Sequence, residues 1–244
     1  MINISFVIDN NLIINELLTN KNIAKSIDYK PLIEYIMFIY NKYHNQVEAN
    51  KIITKSPNFK ALLLQVSIYQ EYLTKLIKNT PYYQLYLIND ILKLNNFNCF
   101  LIGELLPTSS NTAYYLGNKH FKIGKSEGNI IAIYHEVMHS ILEYNDIKRL
   151  KETKDKLLLN PNDINLICLK ELIIDINHAI IELCIEYQLG SLLGNYLSIT
   201  NGHDETIIYK QMLINDWGKY LKDTNSNIYQ FRDTAIDKIL TKHK

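Results

Sequence analysis

His135-Glu136-Val137-Met138-His139 sets two imidazoles four residues apart, with a glutamate beside the first. On a helix, residues at that spacing share a face, one turn above each other. Both rings can therefore converge on a single metal ion. Glu136 is rotated by about 100° from His135. Its carboxylate then lies beside such an ion rather than on it, where it can take a proton from a metal-bound water. Ile130, Ile131, Ile133, Val137, Ile141 and Leu142 surround the motif and predict a buried helix. Polar groups in a buried helix need partners, because an unpaired one is costly to desolvate.

Two imidazoles leave a tetrahedral metal short of ligands, and a catalytic site takes one more protein ligand plus an open position for water. Pro161-Asn162-Asp163 predicts the start of a second helix, running to Leu189 and apolar nearly all round. Its exception is one stripe: Glu171, Asp175, His178, Glu182 and Glu186. At 100° per residue these fall within an arc of roughly 80°. A stripe that narrow suits a buried helix facing a metal site. Glu171 with Asp175 one turn on, and Glu182 with Glu186 one turn on, each offer a ligand with a second carboxylate behind it.

Over about residues 113–189 this pattern resembles the gluzincin group of zinc metallopeptidases, whose members carry H-E-x-x-H on one helix and a glutamate ligand on a later one. The resemblance implies one zinc ion per chain held by His135, His139 and Glu182, with Glu171 as the alternative third ligand. Glu182-Leu183-Cys184-Ile185-Glu186-Tyr187 is similar to an aminopeptidase-type E-G-x-x-x-Y pattern, with leucine where the pattern has glycine. Glu171 to Asp175 is similar to the E-x-x-x-D of thermolysin-like enzymes. Asp175, His178 and Glu186 would then brace the ligands by accepting or donating hydrogen bonds behind them. Glu136 matches the general base. The implied activity is hydrolysis of a peptide bond in a peptide or protein substrate, by a metal-activated water. The other reading is a catalytically silent regulatory or interaction protein that keeps the zinc site. Glu136 favours the enzyme, since a structural site has no use for a water-activating carboxylate. His203, Tyr187 and Tyr209 are the candidates, by residue type, to stabilise an oxyanion.

Other elements must position these groups. Ile4 to Ile8 alternates like a strand, and Asn10 or Asn11 is placed to cap a short helix to Leu18. Helical spacing follows over 31–44, 59–77 and 81–94. Asn98 to Ile102 predicts a strand that Gly103 through Ser110 would break. Thr112 to Leu116 and His120 to Ile123 predict a hairpin turning at Gly117-Asn118. In zinc peptidases of this kind an edge strand pairs with extended substrate, which makes His120, Phe121, Lys122 and Ile123 the expected substrate-binding strand. Helices are predicted over 146–158, 163–189, 204–221 and 227–242. The expected class is mostly helical α+β with a zincin-like core and a small sheet. Residues 1–96 are expected to form a mainly helical region packed on a zincin-like catalytic region, 97–244, the two making one continuous globular unit.

The chain of 244 residues is 47% hydrophobic, enough for a full core. Its net charge of +1 gives no support for nucleic-acid binding, which usually needs a basic face, so no nucleic-acid partner is expected. Cys99, Cys168 and Cys184 are odd in number and contain no C-x-x-C pair, against a disulfide framework. Cys168 and Cys184 read as core residues of an apolar helix, and His44 and His243 as surface residues. No basic-then-apolar start marks a signal peptide, and no run is long enough to span a membrane. The expected location is the cytoplasm, with secretion by a route that reads no N-terminal signal kept open.

Overall fold

The computed structural model describes residues 2–20, 23, 26–79, 88–94, 99–107, 113–117, 119–124, 130–189 and 204–242. The first half contributes strand β1 (Ile2–Val7) and helices α1 (Asn10–Thr19), α2 (Lys30–Lys42), α3 (Gln46–Lys55), α4 (Pro57–Asn79) and α5 (Ile88–Leu92). Strands β2 (Cys99–Leu106), β3 (Ala113–Gly117) and β4 (His120–Gly124) follow. The second half is helical: α6 (Ile130–Leu142), α7 (Lys148–Leu159), α8 (Ile164–Leu189), α9 (Asp204–Lys222) and α10 (Ile228–Lys242). The class is the expected one, mostly helical α+β.

Local chemistry explains most boundaries. Asp9, one residue before the asparagines expected to do so, caps α1 by accepting from the Asn11 and Leu12 amides at 2.7 and 3.1 Å. Asp163 does the same for α8, accepting from Asn165 and Leu166 at 2.9 and 3.2 Å. Helix α3 is an element absent from the sequence reading. Its signal was Asn45, which accepts from the Val47 and Glu48 amides at 2.9 and 3.3 Å. The expected helix start at Pro81 and the turn residue Asn118 lie outside the described residues.

The sheet runs in the order β1-β2-β4-β3. β1, β2 and β4 are mutually parallel, and β3 returns antiparallel along β4. Because Ile2 to Val7 pairs with Cys99 to Glu104, the sheet draws on both sides of residue 96, and one buried cluster extends from Phe6 to Ile239. Gly103 does not break β2. It pairs with Phe6 on one side and Phe121 on the other. Their rings meet edge to face at 6.5 Å across it, and a Cβ there would sit 2.7 Å from the Phe6 ring. Glycine is needed for the close packing of two aromatic neighbours, not for a turn.

Helix α4 lies on this sheet through Phe59, Leu62, Val66, Tyr69 and Leu73, all buried at helical spacing. Gln70 donates to the Phe6 carbonyl at 2.6 Å and Tyr69 to that of Gly124 at 3.2 Å. Cys184 is in the core as expected, whereas Cys168 faces solvent on the outer side of α8. Among the described residues no helix is long and apolar enough to cross a membrane.

Candidate metal centre

Helix α6 packs on β2, β3 and β4 and against α8. Ile133, Val137, Ile141 and Leu142 are buried as the apolar spacing requires. The C-terminal end of α6 is held by α10. Tyr229 donates to the Ile141 carbonyl at 3.0 Å, and the buried Arg232 guanidinium donates to that of Leu142. A cation and a hydroxyl there satisfy carbonyls that the helix leaves open and oppose its negative end. Sequence reasoning passed over Arg232, yet it lies among Ile228, Phe231, Ala235, Ile236 and Ile239 on the buried face of α10. An arginine inside such a face must find acceptors. Arg232→Ala is expected to lower stability by about 2 kcal/mol, by leaving a buried carbonyl unpaired and a void. Denaturant unfolding of the two proteins measures it.

On α6 the rings of His135 and His139 stand edge to face, with centroids 4.4 Å apart and their Nε2 atoms 2.7 Å apart. Two ring nitrogens at that distance need a proton or a cation between them. From α8, His178 completes a group of three. Its ring lies 4.6 Å from that of His139 and 5.8 Å from that of His135. One nitrogen from each of the three lies within 4.8 Å of the others, close enough for all to bind one metal ion. His178 Nδ1 lies 3.0 Å from the Ile174 carbonyl. The proton assigned to Nδ1 leaves the Nε2 lone pair for a ligand role. His139 is buried, while His135 and His178 are half-buried.

Glu136, next to His135 in the chain, is 4% exposed, and its Oε2 has no hydrogen-bond partner among the described residues. A buried carboxylate oxygen without a partner is costly unless something that enters the site satisfies it. Burial pushes its pKa up to about 8. Three converging imidazoles form a donor set that can hold one metal ion.

The remaining residues expected at the site fall in different places. Asp175 is half-buried one turn before His178. Glu171 is exposed and pairs with Lys170 at 3.0 Å, far along α8 from the imidazoles. Glu182, one turn beyond His178, is outside the three-imidazole group. Its Oε2 is 3.6 Å from the Nζ of Lys210 on α9, and Lys210 also binds Glu186. Hence the imidazole expected to brace a ligand is the one that joins His135 and His139. Lys210 was missed, but Thr206, Lys210, Leu213, Trp217 and Tyr220 mark the buried face of α9, and a lysine there calls for an acid. Tyr187 is exposed and meets Trp217 edge to face at 6.3 Å. Tyr209 is half-buried, and His203 lies outside the described residues. His44 is exposed as expected, and His243 lies outside the described residues.

The expectation that His120 to Ile123 forms a free edge is corrected. β4 is hydrogen-bonded on both sides, to β2 and β3. Phe121 and Ile123 are fully buried, His120 contacts Glu104 at 3.1 Å, and Lys122 reaches Glu16 of α1 at 3.7 Å. The antiparallel edge beside α6 is β3. No protein-family model, curated protein or solved structure matches this chain.

Proposed function

We propose that this protein is a zinc-dependent peptidase. The observation that carries the reading is the convergence of His135, His139 and His178, with the adjoining Glu136 buried and its Oε2 without a partner among the described residues. The three imidazoles would hold the ion, which when bound polarises a carbonyl and acidifies water. Glu136 Oε2 accepts a proton from the attacking water and returns it to the leaving amine nitrogen. Burial raises the proton affinity of the metal-free carboxyl, and a cation held by the neighbouring imidazoles would favour the ionised form that accepts a proton. The Ile174 carbonyl fixes the orientation of His178. Zinc is the metal this reading takes, because nitrogen donors in a three-ligand set suit it.

The position of β3 supports the zincin-like reading of the fold and a peptide substrate. Among the described residues it is an antiparallel edge strand packed on the motif helix, so an extended peptide would add to its outer side by main-chain hydrogen bonds. It takes the role first expected of His120 to Ile123.

Elemental analysis of the purified wild type beside His139→Ala tests the metal, and a mixed-sequence peptide library tests the activity. One zinc per chain, lost in the variant, with cleavage products from the wild type alone, is the expected result. No zinc in the wild type after zinc is supplied would sink the proposal.

A further inference from the structure

Lys210 is 8% exposed, and the acids it reaches are Glu182 and Glu186, one turn apart on α8. Glu182 is more deeply buried still, and Thr206, one turn before Lys210 on the same face of α9, is fully buried with no partner for its hydroxyl among the described residues. A buried ammonium between two carboxylates is costly to assemble and costly to break, since removing the cation strands two like charges. Surface helices seldom carry such an arrangement, and its position here is informative.

Glu182 stands to His178 as His139 stands to His135, four residues on and on the same helix face. In α6 that spacing delivers two side chains to one point. In α8 it delivers one: His178 joins the group of three, while the Glu182 carboxylate is outside it and 3.6 Å from Lys210. Were Glu182 to join, three imidazoles and a carboxylate would fill a tetrahedral shell. A shell closed by four protein ligands is the structural kind of zinc site, whereas three leave a position for water.

We propose that Lys210 is a positioning residue that holds Glu182 off the three-imidazole cluster and so keeps the metal site open. The inference rests on the metal-centre reading above. Lys210 acts by competition: while the ammonium is in place, the Glu182 carboxylate has a cation that is not the metal. A neutral side chain at 210 removes that competing charge, while His178, a member of the three-imidazole group, stands one helical turn from Glu182 on the same helix.

Cobalt(II) loading with azide as the probe separates the outcomes, because azide changes the visible spectrum of bound cobalt only where a position is open. The wild type is expected to bind cobalt and to respond to azide. Lys210→Met is expected to bind cobalt about tenfold more tightly or better and to lose the azide response. Lys210→Arg, which keeps the charge, and Lys210→Met combined with Glu182→Gln should both respond as the wild type does. Unchanged affinity and an intact azide response in Lys210→Met would overturn the proposal. Glu182→Gln alone is an independent arm that leaves the cation in place. Wild-type affinity and azide response are expected of it, and a tenfold or greater loss of metal would overturn the proposal. A wild type that takes up no cobalt removes the metal centre, and this inference with it. A wild type that binds cobalt but shows no effect at 210 leaves the metal centre standing and removes this inference alone.

Discussion

His178→Ala is expected to weaken zinc binding by more than about 100-fold, while Glu171→Ala leaves it unchanged. Residues that merely brace a ligand cost about 10- to 100-fold when removed, so a ligand itself should cost more. The distances place His178 with His135 and His139: its ring is 4.6 Å from that of His139, and its Nδ1 lies 3.0 Å from the Ile174 carbonyl. Glu171 is exposed and paired with its neighbour Lys170. Competition against a chromophoric chelator measures both variants, with circular dichroism to verify that each is folded. Wild-type affinity in His178→Ala, together with loss of zinc in Glu182→Ala, would instead make Glu182 the third ligand.

Glu136→Gln is expected to keep the metal and to lose about 1,000-fold or more in peptide hydrolysis, within the range general acid–base catalysis supplies. The amide matches the carboxylate in size but neither takes nor returns a proton. The same substitution has a second, independent readout in the metal-free protein. Burial raises the Glu136 carboxyl from 4.5 to about 8. Between those values the folded chain binds a proton that the unfolded chain has released. The stability linked to this group is thus fully present below about pH 4.5 and is lost as pH rises through about 8. The loss is on the order of 4 kcal/mol across that window. Glutamine does not titrate, so Glu136→Gln should flatten the profile and leave the metal-free protein more stable than the wild type near pH 8. Urea unfolding of both proteins at pH 5 and pH 8, in the presence of a chelator, checks it. Parallel profiles would show that the Glu136 carboxyl is solvated rather than buried.

The two predictions differ in what the sequence disclosed about their residues. H-E-x-x-H fixed the relation of His135, Glu136 and His139 before any fold was known, because four residues make nearly one full turn and a helix of branched apolar residues was unavoidable around them. Asp163 marked the start of α8 equally well, since a carboxylate ahead of free amides is a local interaction. The stripe on α8 was legible for the same reason: helical period sets the angle at which each side chain leaves the axis. The long strand β2 was misread at Gly103, where the need for glycine comes from two phenylalanines on other strands and nothing in the neighbouring residues reports it.

What period does not set is axial level. From Glu171 to Glu186 the stripe is about 22 Å long at 1.5 Å per residue, whereas a metal site occupies a single turn. Which turn of α8 lies opposite His135 and His139 depends on how two helices slide against each other, and that is settled by packing across the whole core. The same holds for β4, which the hairpin pattern predicts as a strand but whose place between β2 and β3 is a matter of pairing with residues distant in sequence. Lys210 and Arg232 were visible as charges inside apolar faces, but their partners lie on other helices. Sequence alone therefore determined the motif, its helix and the angular order of the candidate ligands. Tertiary structure decided which of them meet, because contact between elements depends on registers that no local interaction encodes.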